Sequence, residues 1–167
     1  KNIAKTLPVG FAARLLMTTV FASGGNEISL IPWPQKVQQC DGTFALTSQT
    51  RIYADFGSRQ TAKFLAERLR PATGYPLKVG TKFFSDALIP NGILLTTKNV
   101  STNLGPEGYE LTITTNAVVI RAMTQAGLFY GAQTLGQLLP PVIFSTNRVA
   151  GADWRMPKSK GSMSAIL

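Results

Sequence analysis

A chain with one cysteine, Cys40, and no histidine has no internal disulfide with which to staple itself, so whatever it folds into must be held by an apolar core. The means are there: 44% of the 167 residues are hydrophobic and only 15% charged, the balance of one ordinary globular domain. The same two counts exclude chemistry. Without histidine there is no Ser/His or Cys/His pair and no HExxH zinc motif, and Cys40 reads as a small, half-buried apolar residue. The carboxylates Asp41, Asp55, Glu67, Asp86, Glu107, Glu110 and Asp153 are spread singly among turns and element ends. No two of them fall where periodicity would bring them to one apolar-walled face. No catalytic, cofactor-binding or metal-binding residue is therefore assigned.

The pattern along the chain is mixed α and β. KVQQC and TFALT are short runs separated by Asp41-Gly42, a strong turn dipeptide, and are expected to pair as a hairpin. TRIYAD is the next strand. In FGSRQTAKFLAERLRPATGYP, Ser58 is placed to cap a helix whose Ala62, Leu65, Ala66 and Leu69 share one face, with Pro71 and Gly74 ending it. PLKVG and NGILLTT follow as strands, and the unbroken apolar run of the second predicts a central strand covered on both faces. GYELTITTNAVVIRAMT is a hairpin with Tyr109, Leu111 and Ile113 on one face and a return strand Val118 to Ala122 beyond the turn Thr114 to Asn116.

QAGLFYGAQTLGQLLPP is a second helix, with Leu128, Ala132, Leu135, Leu138 and Leu139 as its apolar stripe and Pro140-Pro141 closing it. Gly127, Gly131 and Gly136 lie inside it at a cost of about 1 kcal/mol each relative to Ala. Either Gly127 and Gly131, four apart on one face, let the helix approach a sheet closely, or this is an ordinary core helix with a few poor residues; the pattern alone leaves both open.

The formal charge of +9 resides mostly at the ends. Lys1, Lys5 and Arg14 lie in residues 1–26 and Arg155, Lys158 and Lys160 in residues 154–167, with no acid in either segment. The 11 bases and 8 acids between them leave +3, which argues against a nucleic-acid face. Residues 1–26, basic and then briefly apolar and closing on small residues, are expected to be a signal peptide cleaved near Ala22. No stretch reaches the about 20 apolar residues of a membrane span.

LIPWPQKVQQCDGTFAL carries Ile31, Pro32, Pro34, Val37, Gly42, Phe44 and Leu46 in the register that opens the N-terminal domain of family 20 glycoside hydrolases, the β-N-acetylhexosaminidases and chitobiases, and so resembles it. GYELTIT and VVIRAMTQAGLFYGAQTLGQLL are similar to that domain's closing hairpin and helix, with Gly127, Tyr130, Gly131, Gln133, Thr134, Leu135, Gln137 and Leu138 matching. The resemblance implies an α/β (α+β) sandwich, a mixed sheet with two helices on one face, zincin-like but without zinc. Pro32 and Pro34 would then hold the incoming segment extended beside the sheet edge, with Trp33 free to pack or to face a neighbour.

In that family a (β/α)8 barrel follows, and it bears the acid Glu and the Asp that positions the substrate's acetamido group. The implied layout is a leader at 1–26, the hexosaminidase N-terminal domain at 27–152 and a truncated junction at 153–167. VAGADWRMP resembles the junction into the barrel, while KSKGSMSAIL departs from the family's acidic continuation and reads as a premature end. The expectation is a non-catalytic domain of a secreted or periplasmic hexosaminidase, without cofactor, nucleic-acid or membrane partner, whose partner is the barrel. A free-standing accessory domain, or the like-shaped domain of another glycosidase family, are the alternatives. Residues from Asp153 onward are expected to be mobile and Trp154 open to solvent.

Overall fold

The computed structural model describes residues 36–81 and 89–163. The leader, the Ile31 to Pro34 segment with Trp33, and Asp86 lie outside the described residues. Seven strands form one mixed sheet: β1 (Lys36–Ala45), β2 (Arg51–Ala54), β3 (Val79–Thr81), β4 (Gly92–Thr96), β5 (Tyr109–Ile113), β6 (Ala117–Ala122) and β7 (Arg155–Met163). Their order across the sheet is β1-β7-β5-β6-β4-β2-β3. The β1, β7, β5 and β6 neighbours run antiparallel, while β6, β4, β2 and β3 run parallel. Two helices, α1 (Arg59–Thr73) and α2 (Gln125–Gln137), lie side by side on one face. The architecture is the two-layer α+β sandwich with a mixed sheet and two helices.

The alternating strands build the core. Leu111 and Ile113 of β5, Val118 and Ile120 of β6, Ile93 and Leu95 of β4, and Ile52 and Ala54 of β2 point to the helix layer. There they meet Ala62, Leu65, Ala66 and Leu69 of α1 and Leu128, Ala132, Leu135 and Leu139 of α2, the residues of the two expected stripes. Leu138, also assigned to the stripe, is half-buried at its margin. Every residue of β4 is buried, as expected of a central strand, because Leu94 packs on the far face with Ile89, Val119 and Tyr53. The β5-β6 hairpin has the expected turn. The Thr114 hydroxyl receives the Ala117 N–H at 2.9 Å and donates to the Ala117 carbonyl at 3.0 Å.

Four expectations are corrected. KVQQC and TFALT do not fold back on each other; they are two halves of β1, and both pair with β7, with Lys36 opposite Ser162 and Ala45 opposite Arg155. Asp41-Gly42 falls where the register shifts between Gln39 and Thr43, so the positive φ of Gly42, 113°, serves a bulge and not a turn. Residues 153–163 do not form a loose, open tail: β7 lies inside the sheet between β1 and β5, and Trp154 is only 4% exposed. The sheet thus extends past the boundary expected at residue 152.

In α1, Pro71 does not end the helix; it sits in the last turn, and Gly74, at φ 67°, closes it by returning its N–H to the Arg70 carbonyl at 2.8 Å. Nor does the Ser58 side chain cap the helix. Its backbone is helical and its hydroxyl donates to Asp55, so the carboxylate of Asp55 takes the capping role, accepting the Ser58 N–H at 2.8 Å.

Candidate functional site

The described carboxylates are as scattered in space as in sequence. Asp41 is exposed at the β1 bulge, Glu67 on α1, Glu107 before β5 and Asp153 before β7, where it pairs with Arg155 at 3.1 Å in the open. Glu110 stands on β5 directly opposite Arg121. Among the described residues no group of three or more Cys, Asp or Glu side chains could hold a metal ion. Cys40 is free and half-exposed.

Asp55 alone among the described acids is buried. It follows β2, beside the end of β4, because the two strands are parallel neighbours. Its Oδ1 accepts the N–H and hydroxyl of Ser58, and its Oδ2 accepts the Thr96 hydroxyl at 3.0 Å, the Thr97 N–H at 2.7 Å and the Thr97 hydroxyl at 3.2 Å. Burial works to raise the pKa of this carboxyl, but the bonds from Ser58, Thr97 and Thr96 outweigh it and hold it below the ordinary value. A carboxylate with five donors spends its lone pairs on the protein. It ties the start of α1 to the end of β4 and has no proton to give.

The choice left open for α2 is decided by its surroundings. A Cβ on Gly127 would lie 2.4 Å from the Gly108 carbonyl oxygen, and one on Gly131 2.5 Å from Ile120 Cγ2, so both glycines are there for close approach to the sheet. Gly136 is different: a Cβ would meet only the Phe144 ring, at 3.5 Å. The Thr124 hydroxyl caps the helix by accepting the Gly127 N–H at 3.3 Å, and Thr134 hydrogen-bonds the Tyr109 hydroxyl in the core. Burial pushes the Tyr109 phenol up, and the Thr134 bond opposes the shift.

That seating turns the remaining aromatics outward. Phe64 of α1 lies with its ring 5.1 Å from Phe129 of α2, and Phe129 5.9 Å edge-on from Tyr130. One turn along α1, the Arg68 guanidinium sits 4.9 Å over the ring of Phe144, in the short 3-10 turn Pro141–Phe144. Phe129, Tyr130, Val142 and Phe144 are between 37% and 46% exposed. Together they form an aromatic crest along the outer side of the helix layer, flanked by the exposed cations Arg59, Lys63 and Arg68. Apart from this crest, Phe56 on the loop after β2 is 86% exposed. The ring contacts make it a cluster and not a scatter of single surface aromatics. Periodicity does not point to this cluster; its signal in the sequence is that Phe64, Phe129 and Tyr130 are apolar residues off the buried stripes.

The family model for glycosyl hydrolase family 20, domain 2, matches residues 27–158. A β-hexosaminidase of Porphyromonas gingivalis is 31% identical over 123 residues, 73% of this chain but 15% of that protein. The solved N-acetyl-β-hexosaminidase of Streptomyces plicatus superposes with a TM-score of 0.70 at 34% identity, over 81% of this chain and 26% of its own. The family 20 β-N-acetylhexosaminidase of Streptomyces coelicolor gives 0.69 at 33%, over 78% and 25%. The chain thus spans about a quarter or less of the length of these relatives.

Proposed function

As this chain belongs to glycosyl hydrolase family 20, in which it corresponds to domain 2, we propose that it is the non-catalytic N-terminal domain of a secreted or periplasmic β-N-acetylhexosaminidase. Hydrolysis of terminal N-acetylhexosamine would fall to a (β/α)8 barrel in the same polypeptide, and this domain would brace that barrel. The observation that carries the reading is the aromatic crest of Phe64, Phe129, Tyr130 and Phe144, an apolar face built by the two helices, whose buried sides are already satisfied, and the 3-10 turn that follows them. Contacts between domains of one chain bury about 600 to 1,500 Å², and this face would form part of such a contact.

The test is association in trans. The chain is mixed with a family 20 barrel produced without its own domain 2, and complex formation and the barrel's thermal stability are measured. Binding that is lost in the Phe129→Ser, Phe144→Ser double variant supports the reading; a folded chain that neither binds nor stabilises the barrel refutes it. On the same reading the chain alone leaves an aryl N-acetylglucosaminide intact after rigorous purification, and turnover by the pure chain would count against it. A second reading, a free-standing accessory domain, is favoured by one observation: β7 completes the sheet and buries Trp154 without any further domain. Full stability of the chain alone, with no affinity for any family barrel, would select it.

A further inference from the structure

A shallow cleft of about 220 Å³ opens where β2 and β3 begin, lined by Ser48, Gln49, Thr50, Arg51, Pro76 and Lys78. Its cations are brought together by topology. β2 and β3 run parallel with Ile52 opposite Val79, and the Ile52 N–H bonds to the Lys78 carbonyl at 3.0 Å. Arg51 and Lys78, one residue earlier on each strand, therefore stand side by side. Like charges so placed repel. Among the described residues neither has an ion pair, and no acid lines the cleft.

Both walls are held rigidly, although their lining residues are mostly exposed. On one side the Thr50 hydroxyl donates to Asn91 Oδ1 at 2.7 Å, Asn91 Nδ2 donates to the Thr47 hydroxyl at 2.7 Å, and the Thr47 N–H returns to Thr50 Oγ1 at 2.9 Å. On the other, Leu77 is fully buried with φ at +36°, a conformation rare for such a residue. Arg70 pins that turn from behind, donating through Nε to the Pro76 carbonyl at 3.0 Å and through Nη2 to the Leu77 carbonyl at 3.2 Å. A positive-φ residue held by its surroundings, two cations without an ion pair among the described residues, and a wall of hydroxyl and amide groups are what an anion receptor needs. We infer that this cleft binds a tetrahedral oxyanion, a sulfate or phosphate group, with Arg51 and Lys78 as its charged clamps and Ser48 and Gln49 as neutral donors.

The inference is independent of the barrel-bracing role and is tested on the chain itself by amide NMR. Sodium sulfate, sodium phosphate and N-acetylglucosamine 6-sulfate are titrated at constant ionic strength against sodium chloride. Saturable shifts at Thr50, Arg51 and Lys78 are expected with these tetrahedral oxyanions and not with chloride. Tighter binding of the sugar ester than of inorganic sulfate identifies a group carried on a glycan; equal binding identifies the free anion. Arg51→Gln and Lys78→Gln should each weaken binding roughly tenfold or more, the loss of one charge-assisted hydrogen bond, while Lys98→Gln leaves it unchanged. Shifts that fail to saturate, follow chloride equally, or persist in both variants overturn the inference, and the same spectra show whether each variant is folded.

Discussion

Asp55 concentrates five donors on one buried carboxylate, and that arrangement sets the sign of a pH response. Its folded pKa is lowered, whereas the unfolded chain titrates near the ordinary value of about 3.9. Between those two values the unfolded state binds more protons, so the contribution is present in full above about pH 4 and is lost as pH falls toward the folded pKa. Asp55→Asn keeps the shape but offers amide hydrogens to groups that also donate, and should cost about 1 to 3 kcal/mol at pH 7. Urea unfolding at pH 7 and pH 3 checks it: the gap between wild type and variant must narrow at pH 3, and an equal gap at both would mean that the carboxylate's charge is not what holds the network. In the sequence Asp55 is one of eight acids and nothing marks it out from the others. Its partners Thr96 and Thr97 lie more than forty residues away, and only the parallel pairing of β2 with β4 brings them over it.

Helix α2 carries three glycines that separate cleanly by surroundings. Gly131→Ala drives a methyl into Ile120 and Gly127→Ala into a backbone carbonyl, so each should destabilise by about 1 to 3 kcal/mol, Gly127 more because backbone cannot turn aside. Gly136→Ala meets only ordinary contact with Phe144 and should stabilise by up to about 1 kcal/mol through helix propensity. Thermal unfolding of the three variants distinguishes this from a helix of merely poor residues, in which all three would stabilise. Leu135, fully buried between helix and sheet, should cost about 2 to 5 kcal/mol on replacement by Ala, and a change under about 0.5 kcal/mol would contradict its place in the core. Both helices, their buried stripes, the β5-β6 hairpin and the central β4 were legible because each is a local pattern of period 3.6 or 2. β1 was not. Asp41-Gly42 is a strong local signal for a turn, and it was overridden by a partner more than a hundred residues away. That partner, RMPKSKGSM, hides itself: two lysines, a glycine and a proline carry little strand propensity, and Pro157 is accommodated near the bulge, paired with Thr43 where the register shifts.

At the scale of the molecule the consequence is that the last strand is structural. β7 fills the gap between β1 and β5, so its removal would leave β1 without a neighbour and strip one flank of the sheet. Met156 and Trp154, both buried in the main core, would go with it, and the Leu46 N–H would lose the Trp154 carbonyl that it meets at 2.8 Å. A chain ended after residue 152 should therefore lose cooperative unfolding and expose its core to hydrophobic dyes, while one ended after Met163 should unfold in a single transition. Trp154 reports on the intact chain without truncation. In a Trp33→Phe background, which leaves Trp154 as the only tryptophan, its fluorescence should resist iodide in the native state and become quenchable only through the unfolding transition, because at 4% exposure the indole is out of reach of a hydrated anion. Ready quenching under native conditions would mean that β7 detaches in solution, and the sheet would then depend on a further domain for closure.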